Sequence, residues 1–167
     1  MDLRNRRILI WGLGRSGLAA LEYLSSIPCE VWVLECRATP ELKQSVKSAG
    51  IPPERAVWGD GERVPWAGLD LVVASPGIAV AAEWAKIGQS RAIPVVSEME
   101  LALAECSTPI IGITGTNGKS TTTTLIGDIL CAAGRPVVVG GNLGTPFLAL
   151  RNEARTAEFA VLELSSF

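Results

Sequence analysis

Two glycine-rich turns constrain this chain more than any other feature. Gly12-Leu-Gly14-Arg-Ser-Gly17 follows the apolar run Arg7-Ile-Leu-Ile-Trp11. Gly115-Thr-Asn-Gly-Lys-Ser-Thr121 follows Ile110-Ile-Gly-Ile-Thr114. Each turn then opens a helical pattern. A strand that runs through glycines straight into a helix leaves the first helical N–H groups without partners in the chain. Those groups and the helix dipole favour an anion. A chain with two such turns is predicted to carry two anion-binding edges.

The remaining segments alternate in the same way. Residues 31–35, 56–58, 69–74, 94–96, 137–139 and 159–164 read as strands. Residues 16–27, 41–49, 81–89, 97–105 and 119–133 read as helices, with a short one from about Pro146. Gly50 suits a helix C-terminus, and Ser97 with Glu100 three residues on suits an N-terminus. The strands lack inside/outside alternation, as expected when both faces of a parallel sheet are covered. The fold class is α/β: a Rossmann-like parallel-sheet domain, then the beginning of a P-loop ATPase-type α/β domain. A break near Cys106-Ser-Thr-Pro109 divides residues 1–106 from 107–167. The second stretch is too short to bury a full core, so the chain reads as the N-terminal piece of a longer protein.

Composition removes several function classes. The 167 residues include no histidine, which excludes Ser-His-Asp and Cys-His catalysis and histidine-based metal sites within them. The formal net charge of −2 gives no basic field for nucleic acid. No apolar run approaches the roughly 20 residues of a membrane span. Cys29, Cys36, Cys106 and Cys131 show no metal-ligand spacing and read as free thiols in a reducing cytoplasm.

The second turn has the parts of an ATP phosphate loop. Gly115, Thr116, Asn117 and Gly118 form the turn, and Lys119, Ser120 and Thr121 open the helix. Lys119 brings a full charge toward the β- and γ-phosphates, and a Ser120 or Thr121 hydroxyl can ligate Mg²⁺. The spacing departs from G-x-x-x-x-G-K-[ST]: Ile113 stands where the first glycine would be, flanked by Gly112 and Gly115. Glu163 sits in the apolar run Phe159-Ala-Val-Leu-Glu-Leu164. A carboxylate there is costly unless paired or metal-bound, so Glu163 is a candidate Mg²⁺ ligand beside Ser120. A strand-end acid that meets solvent or a lysine is the plainer alternative.

The first turn fits G-x-G-x-x-G, with Glu35 ending the next strand where an acid meets a ribose in dinucleotide folds. Taken alone, it allows an NAD(P)-dependent oxidoreductase, a non-catalytic nucleotide-binding module, or a purely structural turn.

Thr114-Gly-Thr-Asn-Gly-Lys-Ser-Thr121, Gly140-Gly-Asn-Leu-Gly144, Ser75-Pro-Gly-Ile78 and Leu162-Glu-Leu-Ser-Ser-Phe167 together resemble the Mur ligases, within that family the D-glutamate-adding members. The resemblance implies ATP and Mg²⁺ as cofactors, with UDP-N-acetylmuramoyl-L-alanine and D-glutamate as substrates. It implies an acyl-phosphate intermediate, a cytoplasmic and monomeric enzyme, and no ligase activity in this stretch alone. It further implies that Gly14, Arg15, Ser16, Glu35, Cys36, Arg37, Gly77 and Asn142 bind the UDP substrate. Lys119 and Glu163 would be catalytic, and Ser120 and Glu163 would hold the metal. Glu35-Cys36 departs from the family's aspartate and small residue.

Overall fold

The β-branched runs pair into two all-parallel sheets in the computed structural model, which describes residues 1–76, 93–142 and 144–165. The chain divides into two compact units, Met1–Glu98 and Met99–Phe167. The helix expected over 81–89 and the turn at Gly77 lie outside the described residues.

In the first unit the elements are β1 (Arg7–Trp11), α1 (Arg15–Ser25), β2 (Glu30–Glu35), α2 (Pro40–Ser48), β3 (Ala56–Trp58), β4 (Leu71–Ala74) and β5 (Val95–Ser97). The sheet order is β3-β2-β1-β4-β5. The order reverses beside β1, which opens a crevice at the carboxyl ends of β1 and β4, the usual ligand position in such sheets. Ile8, Leu9, Ile10, Val33, Val72 and Val73 are buried. Each such side chain stabilises the fold by roughly 1.5–3 kcal/mol relative to exposure. Trp11 and Trp66 meet edge to face at 5.7 Å beside this core. Asp70 accepts the Arg7 N–H at 2.8 Å and so ties the start of β1 to the start of β4.

Helix α2 shows local sequence control at both ends. Thr39 Oγ1 accepts the Leu42 N–H at 3.3 Å, and Pro40 occupies the first turn. At the other end Gly50 takes a left-handed φ of 73°. Its N–H donates to Lys47 O, and the Ile51 N–H donates to Val46 O, so two otherwise open carbonyls are satisfied.

In the second unit the elements are α3 (Glu98–Glu105), β6 (Ile110–Ile113), α4 (Lys119–Ala132), β7 (Val137–Gly141), α5 (Arg151–Ala154) and β8 (Phe159–Glu163). The order β6-β8-β7 puts the last strand in the middle. Ala160, Val161 and Leu162 are fully buried there. Helix α4 lies close on β7: a Cβ at Gly127 would stand 2.5 Å from Val139 Cγ2. Leu125 and Ile129 on α4 stay exposed, at 56% and 58%. Among the described residues no helix is long and apolar enough to cross a membrane.

Most boundaries shift by a residue; helix α1 ends at Ser25, short of the expected residue 27, and two strand boundaries move by two residues. The strand expected over 137–139 runs on to Gly141. Its glycines suit a turn by sequence, but the missing Cβ at Gly140 admits Leu150 and Thr145 O, and that at Gly141 admits the Glu163 backbone. The strand expected from residue 69 begins at Leu71, because the 3-10 turn Trp66–Gly68 occupies the approach.

Candidate functional site

The second unit gathers its predicted residues at the carboxyl ends of β6 and β8. The loop after β6 needs glycine twice: Gly115 has φ 141° and Gly118 φ 76°, conformations that strain any other residue. Gly118 is the N-cap of α4. The first bond within that helix is Thr122 N–H to Gly118 O at 2.9 Å, so the N–H groups of Lys119, Ser120 and Thr121 precede the ladder and have no partner among the described residues. Lys119 Nζ donates to Gly115 O at 2.6 Å, which folds the lysine across the loop. Thr116 and Asn117 lie at its tip, with Asn117 exposed.

Glu163 ends β8 directly beside β6, in register with Ile113. It is only 7% exposed. Ser120 Oγ donates to its Oε2 at 2.5 Å. The Asn142 N–H donates to the Glu163 carbonyl at 2.9 Å, so Asn142 lies next to the acid on the β7 side. Among the described residues, Ser120 is the only side-chain or backbone donor to the Glu163 carboxylate. A buried carboxylate with one hydroxyl partner keeps lone pairs for a further cation or donor.

This oxygen pair fits Mg²⁺. That ion is usually held by one or two carboxylates together with substrate phosphates and waters, without an all-protein cage. The described residues contain no group of three or more His, Cys, Asp or Glu that could hold a metal ion.

The first unit builds a different edge. Gly12 has φ 87°, and Gly14 is the N-cap of α1. Gly17 is required by space: a Cβ there would stand 1.9 Å from Gly12 O. Ser75 Oγ donates to that same Gly12 carbonyl at 2.9 Å. Arg15 and Ser16 occupy the first turn of α1.

Glu35 is 4% exposed and reaches back to this turn. Its Oε2 accepts the Leu13 N–H at 2.7 Å. Its Oε1 accepts the Arg37 N–H at 2.9 Å and the Cys36 thiol at 3.3 Å, and lies 3.5 Å from Arg37 Nε. Burial pushes the Glu35 pKa up, but these donors outweigh it and hold the carboxyl below the ordinary glutamate value. Cys36 and Arg37 are exposed beside it.

Two contributors escape a reading of the sequence. Thr123 is fully buried, and its Oγ1 donates to Lys119 O at 2.9 Å, which fixes the first turn of α4. The run of four threonines after Ser120 is the available signal. Ser75 reads only as a turn residue; its partner, Gly12, lies too far off in sequence to foresee.

Comparison with known proteins agrees with this layout. The MurD-like N-terminal domain of Mur ligases matches residues 6–97, and the Mur ligase middle domain matches residues 113–167. A protein of Syntrophus aciditrophicus named UDP-N-acetylmuramoylalanine–D-glutamate ligase is 42% identical over 172 residues, covering 100% of this chain and 37% of its own length. One of the same name from Koribacter versatilis is 38% identical over 170 residues, again with 100% and 37% covered. The chain thus spans little more than a third of the curated relatives it matches. Among solved structures, a pseudomurein peptide ligase type C from Methanothermus fervidus shares the fold with a TM-score of 0.53 at 24% identity, covering 97% of this chain and 33% of that one. The UDP-N-acetylmuramate-alanine ligase of Thermotoga maritima gives 0.51 at 20% identity, with 96% and 37% covered. The first domain model alone matches more than half of the chain and the second takes up most of the remainder, so the chain belongs to the Mur ligase family.

Proposed function

We propose that this chain carries the nucleotide-handling part of an ATP-dependent ligase that joins D-glutamate to UDP-N-acetylmuramoyl-L-alanine in peptidoglycan precursor synthesis. The observation that carries the reading is the Ser120–Glu163 pair at the mouth of a Gly-Lys-Ser loop. The relatives' shared name supports the choice of substrates.

The chemistry follows from the substrates. A free carboxylate is a poor electrophile, so the γ-phosphoryl group of ATP moves to a carboxylate oxygen of the alanyl end, giving an acyl phosphate and ADP. The D-glutamate amine attacks the carbonyl carbon, and inorganic phosphate leaves from the tetrahedral intermediate. The open N–H groups of Lys119, Ser120 and Thr121 hold phosphate oxygens. Lys119 exchanges its bond to Gly115 O for the triphosphate and neutralises charge there. Ser120 Oγ and the Glu163 carboxylate would hold Mg²⁺, which when bound neutralises charge on the transferring phosphoryl group.

On the first unit, Gly14, Arg15 and Ser16 are proposed for the UDP diphosphate, and Glu35, Cys36, Arg37 and Gly77 for the uridine end. Asn142 on the second unit is proposed as a substrate contact. The division of labour is 1–106 for the uridine nucleotide and 107–167 for the triphosphate. A cytoplasmic, monomeric enzyme belongs to the same reading.

Calorimetric titration of the protein with UDP, NAD and MgATP tests this. UDP and MgATP should bind independently, with only MgATP binding weakened in Lys119→Ala. Binding of NAD without UDP would contradict the reading and favour an oxidoreductase.

A further inference from the structure

We propose that Ser75 is a positioning residue of the glycine turn in the first unit: from just past the end of β4 its hydroxyl holds the Gly12 carbonyl and so aims the N–H groups that open α1 at a diphosphate. This rests on the reading of that edge as a uridine-nucleotide site, and it adds to the edge a residue that lies outside the glycine pattern.

Three residues meet at one point. A Cβ at Gly17, in the first turn of α1, would stand 1.9 Å from the Gly12 carbonyl oxygen and 2.8 Å from Ser75 Oγ. The space left by the third glycine therefore admits a carbonyl from the turn and a hydroxyl from β4, and a 2.9 Å hydrogen bond joins the two. Among the described residues no other group donates to the Gly12 carbonyl. Ser75 is only 6% exposed, so the bond lies out of reach of bulk water. A buried carbonyl that loses its one donor is costly, and the backbone around it shifts to recover a partner.

Ser75 is itself held in place. Its N–H donates to Trp11 O at 2.9 Å, which extends the pairing of β1 with β4 by one residue. Pro76 follows, and a proline biases the residue before it toward extended backbone. On the other side the Gly12 N–H donates to Leu34 O at 2.7 Å. Gly12 thus hangs between β2 and β4, with one bond to each. At φ 87° it has the conformational freedom that only glycine has, and the two bonds select one shape from it. Two residues on, Gly14 caps α1, and the first bond of the helix is Leu18 N–H to Gly14 O at 2.9 Å. The N–H groups of Arg15, Ser16 and Gly17 precede that ladder and form the anion-binding end of the helix. Fixing Gly12 sets their direction, so the hydroxyl acts on the phosphates through the turn.

Titration of wild type, Ser75→Ala and Ser75→Cys with UDP and with uridine tests the proposal, by calorimetry for UDP and by NMR for the weaker uridine. Uridine carries the base and ribose without the phosphates. Ser75→Ala should bind UDP about three- to tenfold more weakly, and uridine within about twofold of wild type. Cysteine keeps a weak donor at the same position, so the UDP affinity of Ser75→Cys should fall between the other two. Equal losses for UDP and uridine make the hydroxyl a contact of the base or ribose, or a general support of the fold, and overturn the proposal. Unchanged UDP affinity overturns it too. Should Ser75→Ala not fold, the UDP/uridine ratio of Ser75→Cys decides the question in the same way. Wild type that binds neither UDP nor uridine overturns the uridine reading itself, a failure seen before any variant is made.

Discussion

The two units solve the same local problem with the same parts and finish it differently. Each has a strand, a glycine turn and a helix, with a buried glutamate at the end of the strand beside it. Glu35 and Glu163 are 4% and 7% exposed. Glu35 is surrounded by donors, two of them backbone N–H groups. Glu163 receives one hydroxyl, from Ser120, on the same loop-helix that carries Lys119. A buried acid held by a backbone N–H on each oxygen helps fix the shape of the site. One that is left short of donors is available for chemistry. Burial alone would rank the two residues as equals; the partners separate them.

The largest test of this parallel lies in the glycines. Gly17→Ala puts a Cβ 1.9 Å from Gly12 O, a backbone atom that cannot step aside. It should cost about 3 kcal/mol or more, seen as a drop in Tm. Gly127→Ala meets only the Val139 side chain, 2.5 Å from its Cγ2, and alanine gains about 1 kcal/mol in helix propensity over glycine. Its net cost should stay below about 2 kcal/mol. If the two variants lose equal stability, the first turn is not the tighter of the two.

Next in size is Lys119→Ala. Loss of one charged contact to phosphate is worth about 1.5–3 kcal/mol, or roughly 10–100-fold in MgATP affinity by calorimetry, with UDP affinity unchanged. A smaller effect should appear in pH dependence. The Glu35 carboxyl lies below its ordinary value of 4.5 in the folded state, so its contribution to stability is present above that pH and lost as pH falls through the lower, folded value. The Tm difference between wild type and Glu35→Gln should therefore be constant near neutrality and shrink below about pH 4.5. A difference that does not shrink at all as pH falls below 4.5 would mean the charge is not what the donors hold.

Much of this is legible in the sequence, for reasons that are local. The glycine turns, the strands around them and the end of α2 at Gly50 depend on residues a few positions apart, and the structure places them as read. Glu163 stands out because a charge in an apolar strand demands a partner, although its partner, Ser120, lies 43 residues away. What stays hidden is long-range. The central position of β8 is set by pairing with strands that precede it, in register from Ile110↔Ala160 to Ile113↔Glu163. Nothing in Val137–Gly141 announces that its glycines continue a strand; they do so because Leu150 and the Glu163 backbone need the room. The place of Glu35 in the glycine fingerprint suggests a ribose or uridine contact. That the Leu13 N–H already holds it becomes visible only once β1 and β2 lie side by side.

The most direct measurement of the contrast is ATP affinity with and without Mg²⁺ in wild type, Glu163→Gln and Glu35→Gln. Magnesium should tighten ATP binding in wild type and in Glu35→Gln alike, and should have little effect in Glu163→Gln. If Glu163→Gln keeps the full magnesium enhancement, or if Glu35→Gln loses it, the distinction between the backbone-held acid and the acid with a single hydroxyl partner is wrong.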